Sequence, residues 1–159
     1  MSFASPKKPI RLIASDLDGT LLNSEGVLPE KNREALIAAI QRGVTVTLCT
    51  GRMFRSTRRF AEQIGIEAPL ICYNGAMLRS MDGTMLFHHT LDLDIAHRLL
   101  TFFKENGLYV QSYIDDELYI RDMRDEEFQA YLRHFGITGT AAGDALYHPT
   151  AAPTKLLAM

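Results

Sequence analysis

The chain has 159 residues, 47% of them hydrophobic, and a formal net charge of −2. This suffices for one packed domain, or one domain and part of another, and the absence of a basic field argues against nucleic acid as a partner. With no apolar run near the ~20 residues of a membrane span and no signal peptide, we expect a cytoplasmic protein without a membrane partner.

The first predicted element is the run Ile10 to Ser15, which two aspartates follow at once. A segment that is apolar on both faces predicts a buried strand of a parallel sheet, and such sheets bind ligands beyond the carboxyl ends of their strands. Asp16 and Asp18 stand at that end, and Gly19 allows a sharp turn. A cation such as Mg²⁺, held together with a substrate phosphate, would relieve the repulsion between the two carboxylates. The alternative is an ordinary strand-to-loop turn, where Asp and Gly are also common.

A strand–helix–strand unit comes next. Apolar residues at helical spacing predict a helix from about Pro29 to Arg42, and Val44 to Cys49 supplies a second strand. A second helix is predicted from about Phe54 to Ile64, and a third, short strand from Pro69 to Cys72. Residues 1–75 therefore correspond to half of a doubly wound α/β domain.

After Gly75 the pattern changes from parallel to antiparallel and predicts a separate α+β lobe. Its predicted elements are a hairpin around Asp82-Gly83, a helix from Asp92 or Asp94 through Lys104, a hairpin around Asp115-Asp116, a helix from about Asp125 to Phe135, and a strand from Thr154 to Met159. We place the two domains at residues 1–80 and 81–159. Because the last strand stops without a polar tail, we expect the chain to be a fragment of a longer protein.

Three strand ends converge on one crevice if the first sheet is parallel. The first brings Asp16 and Asp18, the second Thr50-Gly51-Arg52, and the third Asn74-Gly75. A hydroxyl, a close backbone approach and a guanidinium near a helix N-terminus all suit a phosphate group. Taken alone, Thr50-Gly51 could equally be a simple strand-to-helix connection.

The motifs DLDGTLL at Asp16 to Leu22, TGR at Thr50 to Arg52 and NGA at Asn74 to Ala76 resemble those of the haloacid dehalogenase-like hydrolases. Their order and spacing resemble the Cof-type sugar phosphatases, subfamily IIB. This resemblance implies a partial doubly wound parallel-sheet core with an inserted α+β cap. It also implies Mg²⁺ as cofactor and a small phosphate ester as substrate.

The resemblance assigns roles to individual residues. Asp16 would be the nucleophile that forms an aspartyl-phosphate, and Asp18 the general acid and base. The Asp16 carboxylate and the Asp18 backbone carbonyl would hold Mg²⁺. Positions that would bind phosphate or substrate are Leu17, Thr50, Gly51, Arg52 and Asn74.

The chain departs from the family pattern in its second half. The acidic GDxxND motif is absent, and we interpret Gly143-Asp144 as a turn of the cap. Lys155 is a candidate for the family's phosphate-binding lysine, but LLAM follows it, so we favour a lysine on a cap strand. Both departures agree with a truncated chain.

Two smaller expectations concern cysteines and acids outside these motifs. Cys49 and Cys72 each end an apolar strand without CxxC spacing, so we expect free, buried thiols. Asp115, Asp116 and Glu117 are explained by turn chemistry, with substrate selection as the alternative.

Three functions remain open at the level of sequence. The first is a Mg²⁺-dependent phosphatase for small phosphorylated metabolites, and the second is a sugar phosphomutase that uses the same two aspartates. The third is an inactive fragment or binding module, because the metal site is incomplete. The substrate and the oligomeric state are not encoded in any pattern that we recognise.

Overall fold

The computed structural model describes residues 9–122, 129, 132, 133 and 135–159, and its first half is a parallel sheet with two helices. The elements in chain order are β1 (Leu12–Ser15), α1 (Glu30–Gln41), β2 (Thr45–Leu48), α2 (Phe54–Ile64) and β3 (Leu70–Cys72). β1 pairs in parallel with β2, and a parallel bridge between Cys49 and Ile71 places β3 beside β2. The carboxyl ends of all three strands therefore meet at one edge of the sheet.

An antiparallel hairpin extends the third strand. β4 (Met77–Arg79) folds back onto β3, and β5 (Met85–His88) pairs with β4. The side chain of Asp82 closes the turn by accepting the N–H of Thr84 at 2.9 Å. The predicted boundary between residues 80 and 81 falls within this hairpin, and the division into two domains stays a prediction.

The remaining elements form the cap, which we define as α3 (Leu93–Glu105) and a second sheet. Its strands are β6 (Val110–Ile114), β7 (Glu117–Ile120), β8 (Gly139–Ala141) and β9 (Lys155–Ala158). The strand order is β8-β7-β6-β9, with β6 antiparallel to both of its neighbours and β8 parallel to β7. Asp92 caps α3, since its carboxylate accepts the N–H groups of Asp94 and Ile95 at 2.9 and 3.1 Å.

The two faces of the cap sheet pack against different partners, because successive side chains of a strand point to opposite faces. One face packs on α3 and includes Val110 and Leu156. The other joins the main hydrophobic core of the first half and includes Tyr113, Leu118 and Leu157. The cap sheet therefore lies directly between its own helix and the parallel-sheet lobe.

Most predicted elements are confirmed to within a residue or two, including the strand that begins at Lys155. The helix predicted from Asp125 to Phe135 falls largely outside the described residues. The prediction of two buried thiols is confirmed for Cys72 and wrong for Cys49, which is exposed. Cys49 shares a face of the sheet with Leu12, which is 58% exposed, and this is opposite the face that buries Val46 and Leu48.

The outer edge of β1 is open in the described part of the chain, where β1 pairs only with β2. Two large apolar side chains at this edge, Ile10 and Leu12, are 60% and 58% exposed. Within the described ranges, every helix is too short or too polar to cross a bilayer. The open edge lies immediately before Asp16 in the chain.

Candidate active site

A cleft of about 280 Å³ lies between the strand ends of the parallel sheet and the cap. Five of the predicted site residues line it, namely Asp16, Asp18, Thr50, Gly51 and Arg52. The cap adds Tyr113 and Lys155. The convergence predicted from three motifs is thus present for two of the strand ends, and the cap sheet closes the opposite side.

Asp16 begins a tight turn at the end of β1. Its carboxylate Oδ1 accepts the backbone N–H of Leu17 at 2.7 Å, and Gly19 continues the turn with a positive φ of 72°. The Leu17 side chain is fully buried, and its N–H is held by Asp16. The residue predicted to bind phosphate at position 17 therefore orients the carboxylate of Asp16 in this structure.

Asp18 forms a two-pronged ion pair with Arg52. Arg52 Nε donates to Asp18 Oδ2 at 2.7 Å, and Arg52 Nη2 donates to Asp18 Oδ1 at 2.5 Å. The partners are unequal in exposure, since the Asp18 side chain is 46% exposed and that of Arg52 only 4%. The aspartate compensates the charge of a buried guanidinium. Leaving that buried charge unpaired would cost more free energy than leaving the exposed carboxylate unpaired.

Two aromatic rings contact the Arg52 guanidinium. Its carbon lies 4.5 Å from the ring centroid of Phe135 and 5.4 Å from that of Phe60. Arg52 Nη1 also lies 3.5 Å from Ser56 Oγ, a weak hydrogen bond. These contacts make Arg52 a fixed part of the cleft wall and so limit its freedom to follow a substrate.

The Thr50-Gly51 and Asn74-Gly75 segments are locked together by backbone contacts. The N–H of Asn74 donates to the carbonyl of Thr50, and the N–H of Tyr73 to that of Arg52, both at 3.0 Å. A Cβ at position 51 would lie 2.7 Å from Asn74 Oδ1, so a side chain there would have to displace the Asn74 amide. Asn74 thus packs on Gly51 beside the cleft, whereas Thr50 lines it.

Asp116, at the tip of the β6–β7 hairpin, is the residue whose contacts the sequence did not reveal. It is 4% exposed and accepts the N–H groups of Phe54 and Arg55 at 2.8 and 2.9 Å, which caps the N-terminus of α2. The Tyr73 hydroxyl donates to the same carboxylate at 2.8 Å. Through these bonds, the cap is fastened to the helix that begins just after Arg52.

The hydroxyl of Tyr73 stays protonated because of its surroundings. Burial raises the pKa of Tyr73, and the neighbouring negative charge of Asp116 raises it further.

Tyr73 adopts a positive φ of 53°, as do Asp115 and Asp116 at 51° and 61°. The positive φ values at the hairpin tip confirm its turn chemistry, and asparagine and aspartate tolerate this conformation well.

Lys155 lies on the cap strand as predicted, yet its side chain enters the cleft. Its Nζ is 3.3 Å from the carbonyl oxygen of Gly51 and 5.5 Å from the ring centroid of Tyr113. Burial lowers the pKa of Lys155. The prediction of a lysine on a cap strand is confirmed, and the register of β9 directs its side chain to the cleft.

A metal site can be formed here only in part. Among the described residues, no group of three or more His, Cys, Asp or Glu side chains is arranged to hold a metal ion. Gly143-Asp144 begins a 3₁₀ turn, Gly143–Tyr147, as interpreted, and Asp144 lies 3.6 Å from Lys104 and Arg121. Asp16 remains an exposed carboxylate at the cleft, which suits Mg²⁺ because that ion commonly uses one or two carboxylates together with substrate phosphate and water.

A model of the haloacid dehalogenase-like hydrolases matches residues 13–159. The chain belongs to this family. It is 32% identical over 109 residues to a Bacillus subtilis 5-amino-6-(5-phospho-D-ribitylamino)uracil phosphatase. The aligned region covers 69% of this chain and 37% of that protein. It is 39% identical over 90 residues to the HMP-PP phosphatase of Cronobacter sakazakii, and this aligned region covers 57% of this chain and 33% of that phosphatase. The chain thus spans less than half of these relatives.

Solved structures show the same fold. A haloacid dehalogenase-like hydrolase from Bacteroides thetaiotaomicron superposes with a TM-score of 0.83 at 24% identity, over 94% of this chain and 58% of that one. A Thermotoga maritima protein gives a TM-score of 0.78 at 28% identity, over 95% and 57% of the two chains. The predicted α/β class and the family resemblance are both confirmed.

Proposed function

We propose that this haloacid dehalogenase-like chain carries the nucleophile half of a Mg²⁺-dependent phosphatase that hydrolyses small phosphorylated metabolites, such as sugar phosphates, through an aspartyl-phosphate. The observation that carries the proposal is the cleft itself, which joins Asp16, Asp18, Thr50 and Gly51. The names of the relatives support a phosphate ester as substrate, since those proteins are phosphatases of small phosphorylated molecules.

The proposed reaction has two steps. The Asp16 carboxylate attacks phosphorus, the bond from phosphorus to the ester oxygen breaks, and Asp18 gives a proton to the departing oxygen. Asp18 then takes a proton from water, whose oxygen attacks phosphorus and releases inorganic phosphate, so that both aspartates are regenerated. Thr50, buried at the cleft wall, would bind the phosphoryl oxygens.

The ion pair of Asp18 imposes a condition on this scheme. While both carboxylate oxygens accept hydrogen bonds from Arg52, Asp18 is not positioned to give a proton to a leaving group. Its 46% exposed side chain has room to turn, whereas Arg52 is held by its aromatic neighbours. We therefore assign the rearrangement on substrate binding to Asp18.

The Asp16 carboxylate and the Asp18 backbone carbonyl would hold Mg²⁺. When bound, the ion would neutralise charge on the transferring phosphoryl group. Leu17 contributes by fixing the Asp16 carboxylate through its N–H, and Gly19 by allowing the turn that brings the two aspartates to the same cleft.

Phosphate release from a panel of phosphate esters, with and without Mg²⁺, tests the proposal. We expect Asp16→Asn to lower release by several orders of magnitude, because an amide cannot serve as the nucleophile that forms the phosphoenzyme. Asp144→Asn, on the exposed cap turn, is the matched control and should leave release unchanged. Release that survives Asp16→Asn would contradict the assigned nucleophile, and an isomerised sugar phosphate in place of free phosphate would favour a phosphomutase.

A second candidate is a phosphate-ester binding module, and one observation favours it. Within the described ranges, the acids for a complete metal site are not assembled. A module of this kind would bind esters at the cleft without turning them over. Mg²⁺-dependent phosphate release by the 159-residue chain itself would exclude this candidate.

A further inference from the structure

Lys155 is placed over the cleft by the register of the cap sheet. It lies directly opposite Tyr113 in the antiparallel pair of β6 and β9, so the two side chains share one face. Leu157, two residues further on, packs in the core between the cap and the parallel-sheet lobe, whereas Leu156 packs towards α3. Alternation along β9 therefore directs Lys155 towards the strand ends that carry the aspartates.

The Lys155 ammonium is held in place by two contacts. Its Nζ donates to the Gly51 carbonyl at 3.3 Å and lies over the Tyr113 ring at 5.5 Å from the centroid. That ring is itself fixed, because the Tyr113 hydroxyl donates to the buried Gln111 Oε1 at 2.7 Å. An ammonium has three N–H donors, and the Gly51 carbonyl takes one of them.

The two cations of the cleft differ in how their charge is compensated. Arg52 has a bidentate carboxylate partner in Asp18. For Lys155, no carboxylate within the described ranges lies close enough for a salt bridge. Because the lysine is half-buried, it lacks full hydration as well, and its lowered pKa has the same cause. A desolvated cation of this kind binds an anion strongly.

We propose that Lys155 is a specificity residue that binds a second anionic group, phosphate or carboxylate, on the leaving part of the substrate. The inference rests on the proposed function, in which the first phosphoryl group lies at Asp16 and Thr50. Lys155 reaches the cleft from the cap, and its Nζ stands at the Gly51 carbonyl, beside the proposed phosphoryl position. With the phosphoryl group at Asp16 and Thr50, the leaving part of the ester would extend towards this cap side of the cleft. The substrate class is therefore a phosphate ester with two anionic groups.

Binding of two matched esters tests the inference without turnover. Fructose 1,6-bisphosphate and fructose 6-phosphate differ by one phosphate, and calorimetry on the Asp16→Asn chain measures the affinity for each. We expect the bisphosphate to bind about 10-fold more tightly, and Lys155→Met to remove that preference, since a hydrogen bond to a charged group has about this effect. Lys155→Arg should restore part of it, and the exposed Lys31→Met is the matched control.

Three results would overturn the inference. They are equal affinity for the two esters, a preference that survives Lys155→Met, and failure to bind either ester. A circular dichroism spectrum and a melting temperature for each variant show that the Lys155→Met chain is folded. Hydrolysis is scored separately, by phosphate release that requires Asp16, so loss of the preference for the bisphosphate and failure of the proposed function are distinguishable.

Discussion

Asp16 and Asp18 follow strand β1, whereas Asp115 and Asp116 form the tip of the β6–β7 hairpin, and the surroundings of the two pairs differ sharply. The Asp18 side chain is 46% exposed and faces the cleft, while Asp116 is 4% exposed and accepts three hydrogen bonds. The first pair has carboxylates that a ligand can reach. The second has one carboxylate committed to the protein, and we infer that its role is to hold the cap against α2.

This comparison shows that two closely spaced acids at a turn can be open to ligands or buried in the protein, and the local sequence does not distinguish the two cases. Turn chemistry explains why aspartate tolerates the positive φ values at residues 115 and 116. It does not predict that the second of them reaches the N-terminus of a helix some 60 residues earlier in the chain. Only the packing of the cap sheet on the core brings Asp116 to Phe54 and Arg55.

Among variants that break the Arg52 pair or the cap contact, Asp18→Asn should have the largest effect, which is on catalysis. Asp18→Asn should lower phosphate release at least about 100-fold, because the amide cannot transfer a proton. It should also lower the free energy of unfolding by about 1 kcal/mol, since the buried Arg52 loses its charged partner while Asp18 is partly screened by water. Urea unfolding with a phosphate assay measures both effects.

Asp16→Asn is the matched comparison for stability. Asp16 is exposed and its side chain accepts one backbone N–H, which an asparagine oxygen can still accept. We expect its free energy of unfolding to stay within about 0.5 kcal/mol of the parent. Equal destabilisation by the two variants would show that the Arg52 pair adds nothing to stability.

The next effect is on the stability of the cap contact. Asp116→Asn should cost about 2 kcal/mol, because its amide group would face the Arg55 N–H, donor against donor, in a buried site. Asp115→Asn is the control, since asparagine also tolerates the positive φ there and the side chain is exposed. Urea unfolding at neutral pH distinguishes them. Similar losses for both variants would contradict the cap contact that we assign to Asp116.

The smallest effect is a pH dependence at Tyr73. The ordinary pKa of a tyrosine is 10.0, and that of Tyr73 is raised by burial and by Asp116. Below pH 10 the phenol is protonated in both the folded and the unfolded chain, so its ionisation does not change the free energy of unfolding. Above pH 10 the unfolded chain loses this proton and the folded chain keeps it, so the free energy of unfolding falls by up to about 1.4 kcal/mol per pH unit.

Tyr73→Phe removes this dependence and so isolates it. We expect the variant to lose less stability than the parent when the pH is raised from about 9 to about 11. Urea unfolding at both pH values provides the measurement, and Tyr119→Phe is the control at a half-buried position. An equally steep loss in Tyr73→Phe would show that Tyr73 ionises freely in the folded chain.

The parallel-sheet lobe was predictable because its signals are local. Each of its strands is an apolar run of a few residues, and the bounds of the helix Phe54–Ile64 follow from the residues within it and beside it. The TGR motif is likewise three consecutive residues. The geometry of the cleft was less accessible. The Asp18–Arg52 pair spans 34 residues and depends on the pairing of β1 with β2. The Lys155–Gly51 contact spans 104 residues and depends on how the cap packs on the parallel-sheet lobe.

Cys49 illustrates the opposite failure, in which a local signal misled. The apolar run that ends in this residue predicts burial, yet burial of a strand requires elements on both faces of the sheet. In the described chain, Cys49 and Leu12 are exposed on a face where Thr47, between them in the sheet, is buried. An apolar run indicates side chains that are suited to burial, but it does not show whether another element packs on them.

The open edge of β1 has a consequence for handling the protein. Among the described residues this edge is unpaired, so it presents a row of free backbone donors and acceptors, and Ile10 and Leu12 place exposed apolar side chains beside it. Edges of this kind recruit strands from other chains. The 159-residue chain should therefore self-associate as its concentration rises, and dilute samples are the appropriate ones for calorimetry and for unfolding experiments.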